Sequence, residues 1–137
     1  MGWRLHHVNI PVQNIRENAA FYTRVLGMEE EPFPYQPGGG IVTDRSSATR
    51  AFFDDGRCQV HMSRPTQRFS YDNHLFLHPT LTGHLAINVD DIEAVKDALR
   101  RENVPFEDSG TWALEGFYQI YFYDAALNVV EVNQKRS

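Results

Sequence analysis

Cysteine is nearly absent from this chain of 137 residues: Cys58 is the only one, so no internal disulfide can form. That agrees with a reducing compartment and points to a cytoplasmic protein. No run of Lys and Arg occurs, and the formal charge is −5. A nucleic-acid surface needs clustered cations to displace counterions, so nucleic acid is excluded as a partner. No stretch reaches the ~20 apolar residues of a membrane span, and the N-terminus lacks the basic start and apolar core of a secretion signal. What is present is ordinary for an ordered globular protein: 42% hydrophobic and 23% charged residues. The length fits one unit spanning 1–137, because two separate domains would each bury too little surface. Cys58 itself reads as a small packed apolar group, since Arg57 is the only cation beside it.

The chain repeats itself. Residues 5–27, LHHVNIPVQNIRENAAFYTRVLG, align with 82–104, TGHLAINVDDIEAVKDALRRENV, at an offset of 77 that sets His7 on His84, Val12 on Val89 and Ile15 on Ile92. Both copies begin with strand-like alternation. Val8, Ile10 and Val12, like Leu85, Ile87 and Val89, take one face, which leaves His7 and His84 on the other. A helix follows in each copy, opened by Asn14 with Glu17, or by Asp90 with Glu93, at N-cap spacing. Ile15, Ala19, Tyr22 and Leu26, and then Ile92, Val95 and Leu99, recur at helical intervals. Shorter strand-like segments come next, near 40–43, 50–53 and 58–63 in the first half and 118–123 and 128–133 in the second. The expected division is module 1 at about 4–63, a linker at about 64–81 carrying Tyr71, Phe76 and His78, and module 2 at about 82–134.

If each half is a βαβββ module, its helix covers one sheet face and the other face stays concave. Two concave faces must then meet to exclude water, which predicts an α+β fold: a half-open mixed β barrel with helices outside. The two modules can meet within one chain or be exchanged in a dimer. In that fold the last strands align so that His61 falls on Glu131. Glu131 stands in an apolar run, Val129-Val130-Glu131-Val132, where an inward carboxylate needs a partner. His7, His84 and Glu131 are therefore candidate ligands of one divalent metal ion, with His61 a fourth candidate. A His-rich nitrogen and oxygen set suits Fe, Mn, Zn, Ni or Co and selects none of them. His6 is assigned to the opposite face, and His74 and His78 to the solvated linker.

His7-Val8-Asn9-Ile10-Pro11-Val12 with Phe21-Tyr22 and Leu26-Gly27 resembles the opening strand and helix of the vicinal oxygen chelate superfamily, which includes glyoxalases, dioxygenases and bleomycin-resistance proteins. Gly83 to Val89 is similar to the strand that opens that family's second module, and Tyr121 to Asp124 with Asn128 to Glu131 to its closing hairpin. The resemblance spans nearly the whole chain. It implies that His7, His84 and Glu131 take the recurrent ligand positions, and that His61 stands where glyoxalase I and the epimerases carry Glu or Gln. It further implies a homodimer and a small substrate bound through adjacent oxygens by a lyase, isomerase or ring-cleaving oxygenase. Glu131 and His61 are then the candidate proton carriers, while Asn9, Gln59, Gln119 and Tyr121 are the candidates for orienting substrate. The alternative in the same family is a metal-free small-molecule binder of the bleomycin-resistance type. The chain departs from the family at 124–128, Asp-Ala-Ala-Leu-Asn, which lacks the usual glycine of that turn.

Overall fold

The computed structural model describes residues 2–136. Its elements run β1 (Trp3–Pro11), α1 (Ile15–Leu26), β2 (Glu30–Glu31), β3 (Arg50–Asp54), β4 (Gln59–Ser63), α2 (Phe69–Asp72), β5 (His84–Val89), α3 (Ile92–Arg101), β6 (Phe106–Gly110), β7 (Phe117–Tyr123) and β8 (Val129–Lys135). One eight-stranded sheet has the order β2-β3-β4-β1-β5-β8-β7-β6. β1 and β4 are parallel, as are β5 and β8, and the two halves join through the antiparallel pair β1–β5. The sheet is therefore a half-open barrel built within a single chain, and among the described residues no helix is long and apolar enough to cross a membrane.

The expected alternation holds. On the outer face Ile10, Val12 and Val60 pack with α1 residues Ile15 and Ala19, and Ile87, Val130 and Val132 pack with α3 residues Ile92 and Leu99. α1 opens on a reciprocal cap: Asn14 Oδ1 accepts from Glu17 N at 3.1 Å while Asn14 Nδ2 donates to Glu17 Oε2 at 3.1 Å. It closes on Gly27, whose φ of 68° suits a residue without Cβ. A third apolar cluster sits inside the barrel mouth, where Ile41, Phe69, Leu77 and Trp112 pack against Tyr121 and Val129.

The structure corrects several expectations. Asp91, not Asp90, caps α3, accepting from Ala94 N. Leu26 is exposed, because α1 ends there and turns away from the sheet. The segment 40–43 is irregular, and Val42 is tied to Asn73 by two hydrogen bonds instead of to a strand. The second module has an additional strand, β6, whose sequence Phe-Glu-Asp-Ser-Gly carries no apolar alternation. The linker folds over the barrel mouth and contains α2. Cys58 is half-buried and free.

Candidate metal centre

Register sets the site. His7 pairs with Ala86, Ala86 with Glu131 and Glu131 with Tyr121, so these four stand in one row across β1, β5, β8 and β7. Ala86 is fully buried, and its single methyl leaves space for His7 and Glu131 to meet over it from strands that lie ~9–10 Å apart. His84, opposite Asn9, leans in from the next row.

Three atoms converge. His7 Nε2 is 3.4 Å from His84 Nε2 and 3.4 Å from Glu131 Oε1, and His84 Nε2 is 3.3 Å from the same oxygen. Divalent ions bound by imidazole and carboxylate at ~2.0–2.2 Å place neighbouring donor atoms ~3.0–3.4 Å apart, so this triangle fits such an ion. The tautomers fit as well. His84 Nδ1 meets the carbonyl oxygen of Pro79, which can only accept, so the proton is on Nδ1 and the Nε2 lone pair faces the triangle. His7 Nδ1 is 2.8 Å from His6 Nδ1. With Nδ1–H of His7 donating, His7 Nε2 is free and His6 Nδ1 is the acceptor, which the approach of Asn133 Nδ2 at 3.4 Å also requires.

His6 reaches this position through a β-bulge: pairing shifts between Leu5 and His7, so the extra residue turns toward Phe117 and Asn133 rather than to the opposite face. Burial, reinforced by neighbouring His7, lowers the His6 pKa to about 4. Burial also lowers the His7 pKa, against the opposing pull of Glu131, which eases loss of the proton that ligation requires.

Glu131 is clamped at both oxygens. Asn133 Nδ2 donates to Oε2 at 2.8 Å and Gln119 Nε2 at 3.3 Å, while the Tyr121 hydroxyl donates to Oε1 at 3.0 Å. Burial opposes ionisation here, yet His7 and His84 at its edge outweigh it and hold the carboxyl well below its usual range. Tyr121 is raised well above an ordinary phenol by burial and by Glu131, and stays a donor.

Of the other residues singled out in the sequence, Gln119 and Tyr121 line the cavity but spend their polar groups on Glu131. Gln119 Oε1 is fixed by Ala113 N and Leu114 N at 2.9 and 3.0 Å, which aims its amide at the carboxylate. His61 is not part of the ligand triangle. Its ring stacks on His7 at 3.8 Å, and its Nε2 lies 2.9 Å from Gln59 Oε1. Donation to Gln59 leaves Nδ1 as its basic nitrogen. Burial lowers the His61 pKa well below that of free imidazole. Gln59 itself does not line the cavity. Asn9 does, donating to Ser63 Oγ at 2.9 Å while its buried Oδ1 has no partner. His78 packs back on the linker, with Nε2 at 2.8 Å from Thr66 O.

Sequence reasoning missed His6, Asn133 and Arg50. The first two required the bulge and the fold. Arg50 carried a signal, because Arg50-Ala51-Phe52-Phe53 alternates and Ala51 and Phe53 take the outer face. Arg50 and Phe52 therefore face inward, and Arg50 lines the cavity with Phe33, Phe69 and Trp112. The open volume is ≈ 40 Å³, room for a few waters at ~10–15 Å³ each. A larger groove of ≈ 780 Å³ on the outer face, by Val8, Met28 and Phe53, holds none of the triangle.

Fold and site together define a two-module half-open barrel with a two-histidine, one-carboxylate centre in its concave interior. The family model of the Glyoxalase/Bleomycin resistance protein/Dioxygenase superfamily matches residues 4–132, and the chain belongs to that superfamily. Among solved structures, a hypothetical protein from Bacillus halodurans C-125 is similar at 20% identity and TM-score 0.69, covering 100% of this chain and 97% of that one. Methylmalonyl-CoA epimerase from Mycobacterium tuberculosis is similar at 19% identity and TM-score 0.64, over 97% and 88% of the two chains. A variant of Streptomyces coelicolor methylmalonyl-CoA epimerase, in complex with 2-nitronate-propionyl-CoA, is similar at 14% identity and TM-score 0.63, over 98% of each. At these identities the likeness shows the fold alone. No curated protein sequence matches the chain.

Proposed function

We propose that this protein is a metal-dependent enzyme of the glyoxalase/dioxygenase type, acting on a small substrate that binds through adjacent oxygens. The observation that carries the proposal is the meeting of His7 Nε2, His84 Nε2 and Glu131 Oε1 at 3.3–3.4 Å in the wall of the concave cavity. A divalent ion held by these three residues would supply Lewis acidity to the substrate oxygens. Three protein ligands leave room for a substrate, unlike a closed structural site. The chain's own residues do the rest. Glu131 is fixed by Asn133, Gln119 and Tyr121, so it holds one orientation. His61, which stacks on His7 and keeps Nδ1 as its basic nitrogen, is the candidate proton acceptor beside the site. Phe33, Phe69 and Trp112 give the cavity apolar walls, and its volume of ≈ 40 Å³ limits its water to a few molecules. The small cavity favours a compact substrate over an extended one.

Exposed Trp3, Leu5 and Leu85 near the β1–β5 seam support assembly as a homodimer, and the lone cysteine supports a cytoplasmic location. The test is elemental analysis of protein purified without tag or added metal, wild type beside His84→Ala and Glu131→Gln. The expected result is near one equivalent in wild type and a sharp loss in both variants, which remain folded. Absence of metal, with none taken up on reconstitution, would replace this reading by that of a metal-free small-molecule binder.

A further inference from the structure

Arg50 is a buried cation without an anion. It is 8% exposed, and among the described residues no carboxylate lies within ion-pair distance of it. Its one side-chain hydrogen bond is Nη1 to Thr43 Oγ1, at a long 3.4 Å. The rings of Phe33 and Phe69, each 5.9 Å from the guanidinium carbon, offer only weak compensation. The groups that act on it electrostatically are Tyr35 and Tyr121, which are uncharged phenols, and then Asp44, which is on the exposed loop and spends Oδ1 on Ser46 N. A guanidinium desolvated to this degree is strongly unfavourable unless something completes it. Backbone geometry keeps it there: Arg50 pairs with Ser63 on the inner face, and Arg16 holds the Arg50 carbonyl from outside at 3.2 Å.

A second incomplete group faces the same cavity. Asn9 Oδ1 is buried and accepts no hydrogen bond, and its neighbours across the strands are His61 and His84. A cation needing an anion and an acceptor needing a donor thus flank one space, with the His7–His84–Glu131 triangle in its wall.

We propose that the cavity takes a small hydroxy acid, its carboxylate paired with the Arg50 guanidinium and a hydroxyl donating to Asn9 Oδ1. The fork of the guanidinium matches the two oxygens of a carboxylate. This rests on the cavity being the substrate site, but not on a metal being held there.

The experiment is calorimetric and thermal-shift titration of chelator-treated and metal-loaded protein with lactate and glycerate, their neutral amides, and methylphosphonate. Expected are binding of the acids at least tenfold tighter than of the amides, and at least a tenfold loss in Arg50→Met. Ligand-free Arg50→Met should melt no lower than wild type, since it removes an uncompensated charge, while its shift on adding glycerate disappears. Arg50→Lys, which keeps the charge without the fork, should bind several-fold more weakly than wild type and serves if the methionine variant does not fold. Equal binding of acids and amides, undiminished binding in both variants, binding of methylphosphonate alone, or no binding at all would overturn the proposal. Because the chelated protein is titrated separately, loss of the metal reading leaves this result standing, and loss of this result leaves metal content untouched.

Discussion

His6 Nδ1 and His7 Nδ1 stand 2.8 Å apart, so the imidazole offered to the candidate metal centre is held by the residue directly before it in sequence. Adjacent residues of a regular strand face opposite ways and cannot do this; the bulge at His6 makes it possible. The link fixes both the ring orientation and the tautomer of His7.

His6→Ala should therefore weaken metal binding by about 10–100-fold with the ligand triangle chemically intact. Competition against a chelator of known affinity measures this. An unchanged affinity would show that His7 is held adequately by its stack on His61.

Ala86 is the floor between His7 and Glu131. Ala86→Leu should push the two apart, remove stoichiometric metal, and cost about 1–3 kcal/mol of stability from overpacking. Urea denaturation and metal analysis on the same sample check the two effects together. Metal retention in this variant would contradict the row geometry.

The turn without its glycine closes with a left-handed leucine. Leu127 takes φ of 65°, while Asp124 Oδ1 accepts from Ala126 N and Asn128 N, each at 2.9 Å. Leu127 is exposed and packs little. Leu127→Gly should raise stability by roughly 0.5–1 kcal/mol, the relief of a left-handed non-glycine residue less the added freedom of the unfolded chain. A rise in the denaturation midpoint is the readout.

On α3, buried Lys96 contacts Asp108 at 2.9 Å, Glu93 at 3.0 Å and the Tyr118 hydroxyl at 3.0 Å. Burial pulls the Lys96 pKa down, but these three partners outweigh it and raise it. Burial likewise works against Asp108, and Tyr118 and Lys96 outweigh it, so the carboxyl is lowered. A lowered carboxyl stabilises the fold above its unfolded pKa of ~3.9 and loses that contribution as pH falls through its folded value. The raised amine stabilises fully below its unfolded pKa of ~10.4 and loses that contribution as pH rises through its folded value. The contribution of this cluster to stability against urea should thus hold between about pH 4 and 10 and decline outside, whereas burial of His6, whose pKa is lowered to about 4, makes total stability begin to fall below about pH 6.5. Asp108→Asn should flatten the acid limb specifically; an unchanged limb would place acid sensitivity elsewhere.

The sequence by itself determined the strand-and-helix pattern of both copies, the inward phase of His7 and His84, and the isolated carboxylate at Glu131, because these follow from local periodicity and from a repeat. It also carried Arg50 in the alternation of β3. Only the tertiary structure decided which atoms meet. The bulge at His6 and the cap at Asp91 each differ from the regular pattern by one residue, a shift that local periodicity does not specify. β6 has no apolar pattern of its own and exists because β7 offers it an edge. That Gln119 and Tyr121 serve Glu131 across the β7–β8 pair, and that Arg50 and Asn9 face one cavity unsatisfied, are facts about residues on different strands. Their hydrogen bonds depend on register across eight strands, and register is a property of the assembled sheet.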